Sequence, residues 1–287
     1  MTQPQANGKQ TGVLDASTVI LVRDGEQGPE VFLVSRTASA RSFAGAHVFP
    51  GGVVDKNDAD PDLTLYAQQP ETRGLEGFLG ESAQALGLYF CALRETFEES
   101  GVLFASGLPS GGVRALWKYR NPLGKGEIPL AQMVKDTDLR LRPDRLAPHR
   151  RWITPEHIKK RWDTRFFLAK LPEGQEPAAD EGEVTQGLWI RPEKGLEEYQ
   201  EGRLNLMPPT FMNLWALCGK KNADEILAAG ENQEIRPVLP QPFAKGEVMG
   251  LLLPHDPEYS IPEYKQPPRT DEPSRVVMEN GRWMPCL

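Results

Sequence analysis

The sequence predicts an α/β fold, and three observations favour it. Residues 17–24 and 30–36 are rich in β-branched and apolar side chains and flank a Gly-rich turn, which is typical of a strand pair. Residues 86–97 place apolar side chains at helical spacing. The chain has 287 residues, of which 39% are hydrophobic and 25% charged, so it can bury the core of an ordinary globular protein.

The segment after the second predicted strand offers candidate phosphate-binding groups. Arg36 and Arg41 stand in a loop of small and polar residues that leads to His47 and then to the double glycine Gly51 and Gly52. Arginine binds phosphate oxygens well, and glycine lets the backbone approach a metal or phosphate closely. Either arginine taken alone is equally well explained as a solvated loop residue, and His47 is more typical of loop packing than of a ligand or base.

The sequence of residues 54–80 predicts an excursion of the chain over the surface. The segment opens with the acidic, turn-forming run DKNDADPD and continues with several glycines. Asp55, Asp58 and Asp60 are candidates to supplement a metal site, but a solvated acidic loop is the favoured interpretation.

The next segment predicts an amphipathic helix. Its apolar side chains fall within about 60° of one another on one side, and they are Leu86, Phe90, Leu93 and Phe97. On the opposite side Glu95, Glu98 and Glu99 stand at i, i+3 and i+4 and converge within roughly 100°. This acidic face is expected to turn outward, and Gly101 suits the left-handed position that ends a helix.

Three converging carboxylates repel one another unless a cation is present. An acidic pair on a helix is most often only a solvated face. Here Arg94 is placed to brace the cluster, and the double glycine lies upstream, so both features favour a metal site. Hard oxygen ligands of this kind suit Mg²⁺ or Mn²⁺.

Further short elements are predicted downstream. Arg161, Asp163 and Arg165 alternate along the approach to a strand, which favours a structural salt-bridge set over a substrate contact. Asn280-Gly281 lies between β-like flanks, a strong hairpin signal. The other expected elements are helices at 110–119, 129–135, 192–202, 208–219 and 223–229, and strands at 151–153, 164–171 and ending near residue 189.

The double glycine followed by RETFEESGV at residues 94–102 resembles the box of the Nudix hydrolases. That box reads G, five residues, E, seven residues, then REUXEEXGU with U an apolar residue. Thr96 takes a position that is more often apolar. The second half of the box is otherwise matched by Arg94, Glu95, Glu98, Glu99, Gly101 and Val102.

The first half of the box departs from the pattern. The box separates its glycine and arginine by 14 positions, whereas Gly52 and Arg94 are 42 apart, which implies an insertion of about 28 residues. The first glutamate of the box is expected either eight residues before Arg94 or six residues after Gly52. These positions hold Leu86 and Asp58, so that glutamate is missing or replaced. A split box, together with the stretches GAHVFPGG and RWDTRFFLA, is similar to the peroxisomal coenzyme A diphosphatase branch. The resemblance covers roughly residues 15–215.

The resemblance implies a Nudix fold, a mixed β-sheet sandwiched between helices. It also implies a domain layout, with a disordered tail at residues 1–12 and a hydrolase domain at 13–220 that carries the insertion at about 54–80. Residues 221–287, which are rich in proline, are expected to form a C-terminal extension packed on the same domain.

The resemblance further implies hydrolysis of a diphosphate with Mg²⁺ or Mn²⁺ as cofactor. Glu95, Glu98 and Glu99, with a carbonyl of Gly51 or Gly52, are the expected metal ligands, and Arg94 is expected to orient them. Arg36, Arg41 and Gly51 are the expected substrate-binding residues. The predicted substrate is coenzyme A or acyl-coenzyme A, and the alternatives are ADP-ribose, nucleotide sugars or dinucleotides. A non-catalytic nucleotide-binding Nudix module is a second alternative.

Nudix enzymes often complete the metal site with a carboxylate from outside the box. Glu183 is the best candidate for that position and for a catalytic role, with Glu181 and Asp180 as competitors. General-base duty stays open between a box glutamate and Glu183.

The composition of the chain limits the kinds of binding partner that we expect. The net charge of −7 disfavours nucleic-acid binding, and no apolar run approaches the roughly 20 residues that span a membrane. We therefore expect a small-molecule nucleotide as partner, with a homodimer possible. Three widely spaced cysteines, an N-terminus without signal-peptide features and a final PCL unlike the peroxisomal SKL signal favour the cytoplasm.

Overall fold

The structure is a computed structural model that describes residues 12–37, 45–80, 85–179, 184–230 and 234–286. Residues 1–11 of the tail predicted at residues 1–12 therefore lie outside the described residues. The strands are β1 (Leu14–Gly25), β2 (Gly28–Arg36), β3 (His47–Val48), β4 (Gly51–Val53), β5 (Ala105–Ser106), β6 (Arg140–Leu141), β7 (Ala147–Ile153), β8 (Trp162–Lys170), β9 (Val184–Ile190), β10 (Pro237–Val238), β11 (Gln241–Lys245), β12 (Val248–Leu252), β13 (Arg275–Glu279) and β14 (Arg282–Cys286). The helices are α1 (Asp62–Leu65), α2 (Glu76–Leu79), α3 (Ala85–Ser100), α4 (Arg120–Gly124), α5 (Leu130–Thr137), α6 (Pro192–Gln200), α7 (Pro208–Leu217) and α8 (Ala223–Gly230), with 3₁₀ turns at Lys56–Ala59, Gly112–Tyr119 and Pro143–Arg145.

The main sheet is mixed, as predicted. Its strands run in the order β10-β7-β8-β1-β2-β3, with β4 paired to β1 and β9 paired to β2. The predicted strand pair is the antiparallel hairpin β1–β2, while β1 and β8 run parallel. Parallel pairing joins strands far apart in the chain, so the sheet brings the segment before the box beside the segment after it.

Helices cover both faces of this sheet. Successive residues of β1 point to opposite sides, so Val19 and Leu21 pack with α3, whereas Ile20 and Val22 pack with α6 and α7. The sandwich of a mixed sheet between helices is confirmed.

The insertion was expected to be a surface excursion, and many of its residues are exposed, but several of its apolar side chains are anchored in the core. Leu63 and Phe78 are fully buried in the same core cluster as α3. Arg165 donates to the carbonyls of Phe78 and Leu79, and Arg151 donates to the carbonyl of Gly77. These carbonyls lie in α2, so the two arginines bind the insertion to the main sheet.

The chain after α8 returns to the main sheet and then forms a second one. β10 pairs with β7, and β11–β14 form a four-stranded antiparallel sheet. The predicted hairpin is the β13–β14 turn, where Asn280 and Gly281 have φ values of 49° and 77°. Leu251 and Val276 pack in the core cluster of α6 and α7. Among the described residues, no helix has the length and apolar character needed to cross a bilayer.

Candidate active site

The double glycine and α3 meet at one corner of the sheet. Gly51 and Gly52 lie in β4, opposite Thr18 and Ser17 of β1. A Cβ at Gly52 would overlap the carboxylate of Glu95, and a Cβ at Gly51 would overlap the backbone of β1. Glycine is therefore required at Gly51, because the β1 backbone approaches too closely for a side chain, whereas a side chain at Gly52 would displace the carboxylate of Glu95.

Arg94 is the hub of the acidic cluster. Its Nε and Nη2 donate to the two carboxylate oxygens of Asp58 at 2.8 and 2.9 Å. Its Nη1 donates to Glu95 at 2.8 Å and to Glu98 at 3.3 Å. Burial lowers the pKa of Arg94, yet Asp58 and Glu95 raise it well above its ordinary value, so the guanidinium stays charged. The predicted orienting role of Arg94 agrees with these contacts.

Asp58 was interpreted as a residue of a solvated loop, and the structure corrects this. Its side chain is 1% exposed and forms the bidentate pair with Arg94. Asp58 stands six residues after Gly52, which is the count at which the box has its first glutamate, and it is a shorter carboxylate. Asp55 caps the 3₁₀ turn that carries Asp58, since its side chain accepts from the Asn57 amide.

The acidic face of α3 was expected to turn outward, and it does not. Glu98 is 8% exposed and Glu99 is 5% exposed. Burial and the neighbouring carboxylate of Glu95 raise the pKa of Glu98 to about 8, although Arg94 opposes the rise. Glu99 accepts a hydrogen bond from the amide of Gly51 at 2.9 Å and lies 3.9 Å from Nη1 of Arg36. The face is buried because β4, the 3₁₀ turn at Lys56–Ala59 and α4 pack against α3, and Gly124 of α4 lies beside the Glu98 carboxylate.

These residues line one cavity of about 660 Å³. A volume of this size is in the range of small-molecule and cofactor sites. The polar end is formed by α3, β4 and Arg36, and α4 adds Arg120 and Lys125. The other end is mainly apolar, and it is lined by Trp152, Ile153, Ile158, Trp162, Phe166, Met207, Pro208, Leu251 and Trp283.

The donor types at the polar end suit a hard divalent cation, because they are carboxylate oxygens beside the Gly52 carbonyl. Repulsion between Glu95 and Glu98, expressed in the raised pKa of Glu98, favours an added positive charge at this point. In the described ranges, no three acidic, histidine or cysteine side chains are gathered around a single ion position. The reason is that Arg94 holds Glu95 and Glu98, whereas the Gly51 amide holds Glu99. Ion binding would thus require some of these contacts to be exchanged.

Other predicted residues divide into three groups. Arg36 and Gly51 line the cavity, and their substrate-binding role stays a prediction. Arg41 and Glu183, like Glu181 and Asp180, lie outside the described residues. Arg165 forms a buried structural network with Asp15 and Asp163, which was the favoured interpretation of that segment.

Arg120 is a site residue that the sequence analysis missed. Its Nε donates to the carbonyl of Glu98 at 3.0 Å and its Nη2 to the carbonyl of Ala178 at 2.8 Å. It thereby joins the end of α3 to the segment before β9. A local sequence pattern gives no sign of this, because all three groups are distant in the chain.

Comparisons with known proteins agree with this architecture. Residues 80–217 match the family model described as the NUDT19 Nudix domain. "Acyl-coenzyme A diphosphatase NUDT19" of Xenopus laevis is 28% identical over 230 residues, which cover 66% of this chain and 60% of that protein. The human protein of the same name is 27% identical, over 67% of this chain and 61% of that protein. The alignment thus spans about three fifths of these two relatives.

One solved structure shows the same fold over most of its length. The crystal structure of a NUDIX hydrolase from Alicyclobacillus acidocaldarius matches with a TM-score of 0.64 and 28% identity. The match covers 76% of this chain and 97% of that structure.

Proposed function

Because the chain is a member of the Nudix hydrolase superfamily, we propose that it is a divalent-metal-dependent diphosphatase acting on coenzyme A or acyl-coenzyme A. The products would be a phosphopantetheine and 3′,5′-ADP. The relatives named acyl-coenzyme A diphosphatase support the substrate class.

One observation carries the proposal: the box carboxylates stand at one end of a cavity whose other end is mainly apolar. Acyl-coenzyme A has a similar division, because its diphosphate and its acyl chain lie at opposite ends of the pantetheine arm. The carboxylates by themselves would repel a diphosphate, so the site needs cations. Mg²⁺ or Mn²⁺, held by Glu95, Glu98 and Glu99 with the Gly52 carbonyl, would neutralise the phosphates and lower the pKa of a bound water.

The chain's own residues have distinct tasks in this reaction. Arg94 fixes the positions of Glu95 and Glu98 through direct hydrogen bonds. Arg36 lines the cavity near Glu99 and is placed to bind a phosphate oxygen. The Gly51 amide donates to Glu99, so it would bind a phosphate oxygen only after that hydrogen bond is exchanged. Water attacks one phosphorus, its P–O bond forms as the bridging P–O bond breaks, and the water proton passes to a base. A box glutamate that does not itself hold the ion is one candidate to accept it. Glu183 is the other candidate base.

The test is a substrate panel with purified full chain, with and without Mn²⁺, scored for released phosphate monoesters. We expect coenzyme A and acyl-coenzyme A to be cleaved only with the metal. Cleavage of ADP-ribose, nucleotide sugars or dinucleotides instead would replace the substrate assignment. No metal-dependent turnover on any diphosphate would favour the non-catalytic nucleotide-binding module.

The remaining expectations keep the status of predictions. They are a small-molecule nucleotide as the physiological partner, a homodimer, and a cytoplasmic location. The domain boundaries at residues 12 and 220 also stay predictions.

A further inference from the structure

The cavity floor consists of two neighbouring rows of residues that cross the main sheet, with small side chains on β1 and an aromatic side chain at the far end of each row. In the first row, Gly51 lies opposite Thr18, and Thr18 lies opposite Phe166 across the parallel β1–β8 pair. In the second row, two residues along β1, Ala16 lies opposite Thr164, which lies opposite Trp152 of β7. All of these residues line the cavity. The floor therefore runs perpendicular to the strands, from the double glycine to Trp152.

The length of this floor follows from the sheet. The path β4-β1-β8-β7 crosses three strand spacings, which at about 4.8 Å each amounts to roughly 14 Å. A pantetheine arm has a chain of about twelve backbone atoms, the equivalent of four extended residues, and so spans roughly 14 Å. A diphosphate held at the double glycine would place the arm's sulfur beside Trp152.

One wall of that far end is apolar and comes partly from the C-terminal sheet. Leu251 of β12 and Trp283 of β14 line the cavity together with Met207 and Phe166. The polar lining residues at this end, Thr154, His157 and Lys160, belong to the β7–β8 connection. An acyl chain needs only apolar surface, so it suits the wall of Leu251 and Trp283 rather than the side of the β7–β8 connection.

We propose that the groove from Thr18 to Trp152 binds the pantetheine arm, and that Trp152, Leu251 and Trp283 bind the acyl chain of an acyl-coenzyme A. This inference rests on the proposed function and names its substrate class more narrowly. The C-terminal sheet, which lies beyond the matched Nudix domain of residues 80–217, then sets the preference for acylated over free coenzyme A.

The first experiment measures binding without hydrolysis. S-octanoyl-pantetheine and S-acetyl-pantetheine carry no diphosphate, and their binding to the metal-free full chain is followed by tryptophan fluorescence and calorimetry. We expect the octanoyl compound to bind at least about tenfold more tightly, since each fully buried methylene adds up to roughly fourfold. Equal affinities would overturn the inference whatever the enzyme cleaves.

The second experiment measures kcat/KM with Mn²⁺ for acetyl- and octanoyl-coenzyme A. We expect the octanoyl-to-acetyl ratio to be at least about ten in the wild type and to fall severalfold in Trp283→Ala. Thr164→Phe should block the middle of the floor and weaken binding of both pantetheine compounds, whereas Thr164→Val, which keeps the volume, should not.

A matched control is Met249→Ala. Met249 is 60% exposed on the same C-terminal sheet and does not line the cavity, so its substitution should keep the ratio. A wild-type ratio near one, or a ratio that Trp283→Ala leaves unchanged in folded protein, would contradict the assignment. A chain that binds octanoyl-pantetheine but cleaves no coenzyme A ester would refute the proposed function while keeping the groove.

Discussion

Two buried arginine clusters of this molecule differ in their balance of charge. Around Arg165, two arginines face two aspartates, because Arg151 and Arg165 both contact Asp163 and Arg165 also contacts Asp15. Around Arg94, one arginine faces three carboxylates, those of Asp58, Glu95 and Glu98.

This difference in charge balance affects the groups that surround each cluster. The balanced cluster uses its remaining donors on backbone carbonyls of α2 and holds the insertion in place. The cluster around Arg94 has more carboxylates than arginines, and its side chains are largely buried. Burial and the neighbouring Glu95 carboxylate therefore raise the pKa of Glu98 to about 8. A balanced buried cluster stabilises the fold, whereas an unbalanced one beside a cavity is prepared for a cationic ligand.

The largest expected effect is on the balanced cluster. Arg165→Met leaves Asp163 with Arg151 alone and removes the donors to Phe78 and Leu79, so the free energy of unfolding should fall by about 3–5 kcal/mol. Urea denaturation measures this change. The kcat of the remaining folded protein should be nearly unchanged. Arg236→Met, which removes an exposed ion pair with Glu234, is the matched control and should have no measurable effect on stability.

Glu99→Gln tests the opposite expectation for the acidic cluster. It keeps the shape of the side chain but removes a charge that the proposed metal needs, so kcat should fall by about 10²-fold or more. Steady-state kinetics with coenzyme A and Mn²⁺ provide the measurement, and the melting temperature monitors folding. An unchanged rate would remove Glu99 from the catalytic assignment. Glu197→Gln, on an exposed face of α6, should retain full activity.

Metal binding can be measured without turnover. If the excess charge around Arg94 binds a divalent ion, Mn²⁺ at about 100 times its Kd should add about 2.7 kcal/mol to the free energy of unfolding. The double variant Glu95→Gln/Glu98→Gln should lose this gain, and Glu197→Gln should keep it. Equal stabilisation of all three proteins would place the ion elsewhere.

The smallest expected effect is the pH dependence of stability that His149 causes in β7, the strand that also carries Arg151. Burial lowers the pKa of His149 to about 3, and the positive charge of Arg150 makes a smaller contribution in the same direction. The unfolded chain binds a proton near pH 6.5 and the folded chain does not, so stability falls as the pH falls through that range. Between pH 7 and pH 5 the expected loss is about 2 kcal/mol. Urea denaturation at both pH values should show a smaller loss in His149→Leu.

The sequence predicted local features well where they depend on neighbours in the chain. The β1–β2 hairpin, the helix that carries Glu95, Glu98 and Glu99, and the Asn280-Gly281 turn follow from short-range patterns, and the structure confirms them. Asp58 and the outward acidic face were misjudged for the same reason. A run such as DKNDADPD is usually solvated, and only its packing against α3 makes Asp58 a partner of Arg94.

By itself, the sequence determined which residue types are available, namely a carboxylate triplet at helical spacing, a double glycine, and apolar runs for a mixed α/β fold. Only the tertiary structure decided that the triplet is buried beside Gly51 and Gly52, that Arg120 joins the end of α3 to Ala178, and that Trp283 shares a cavity with Glu95. Spacing along a chain fixes the direction of side chains within one element, but the distances between elements depend on how sheets and helices pack. Those distances set burial and charge balance, and these two quantities separate a structural cluster from a site.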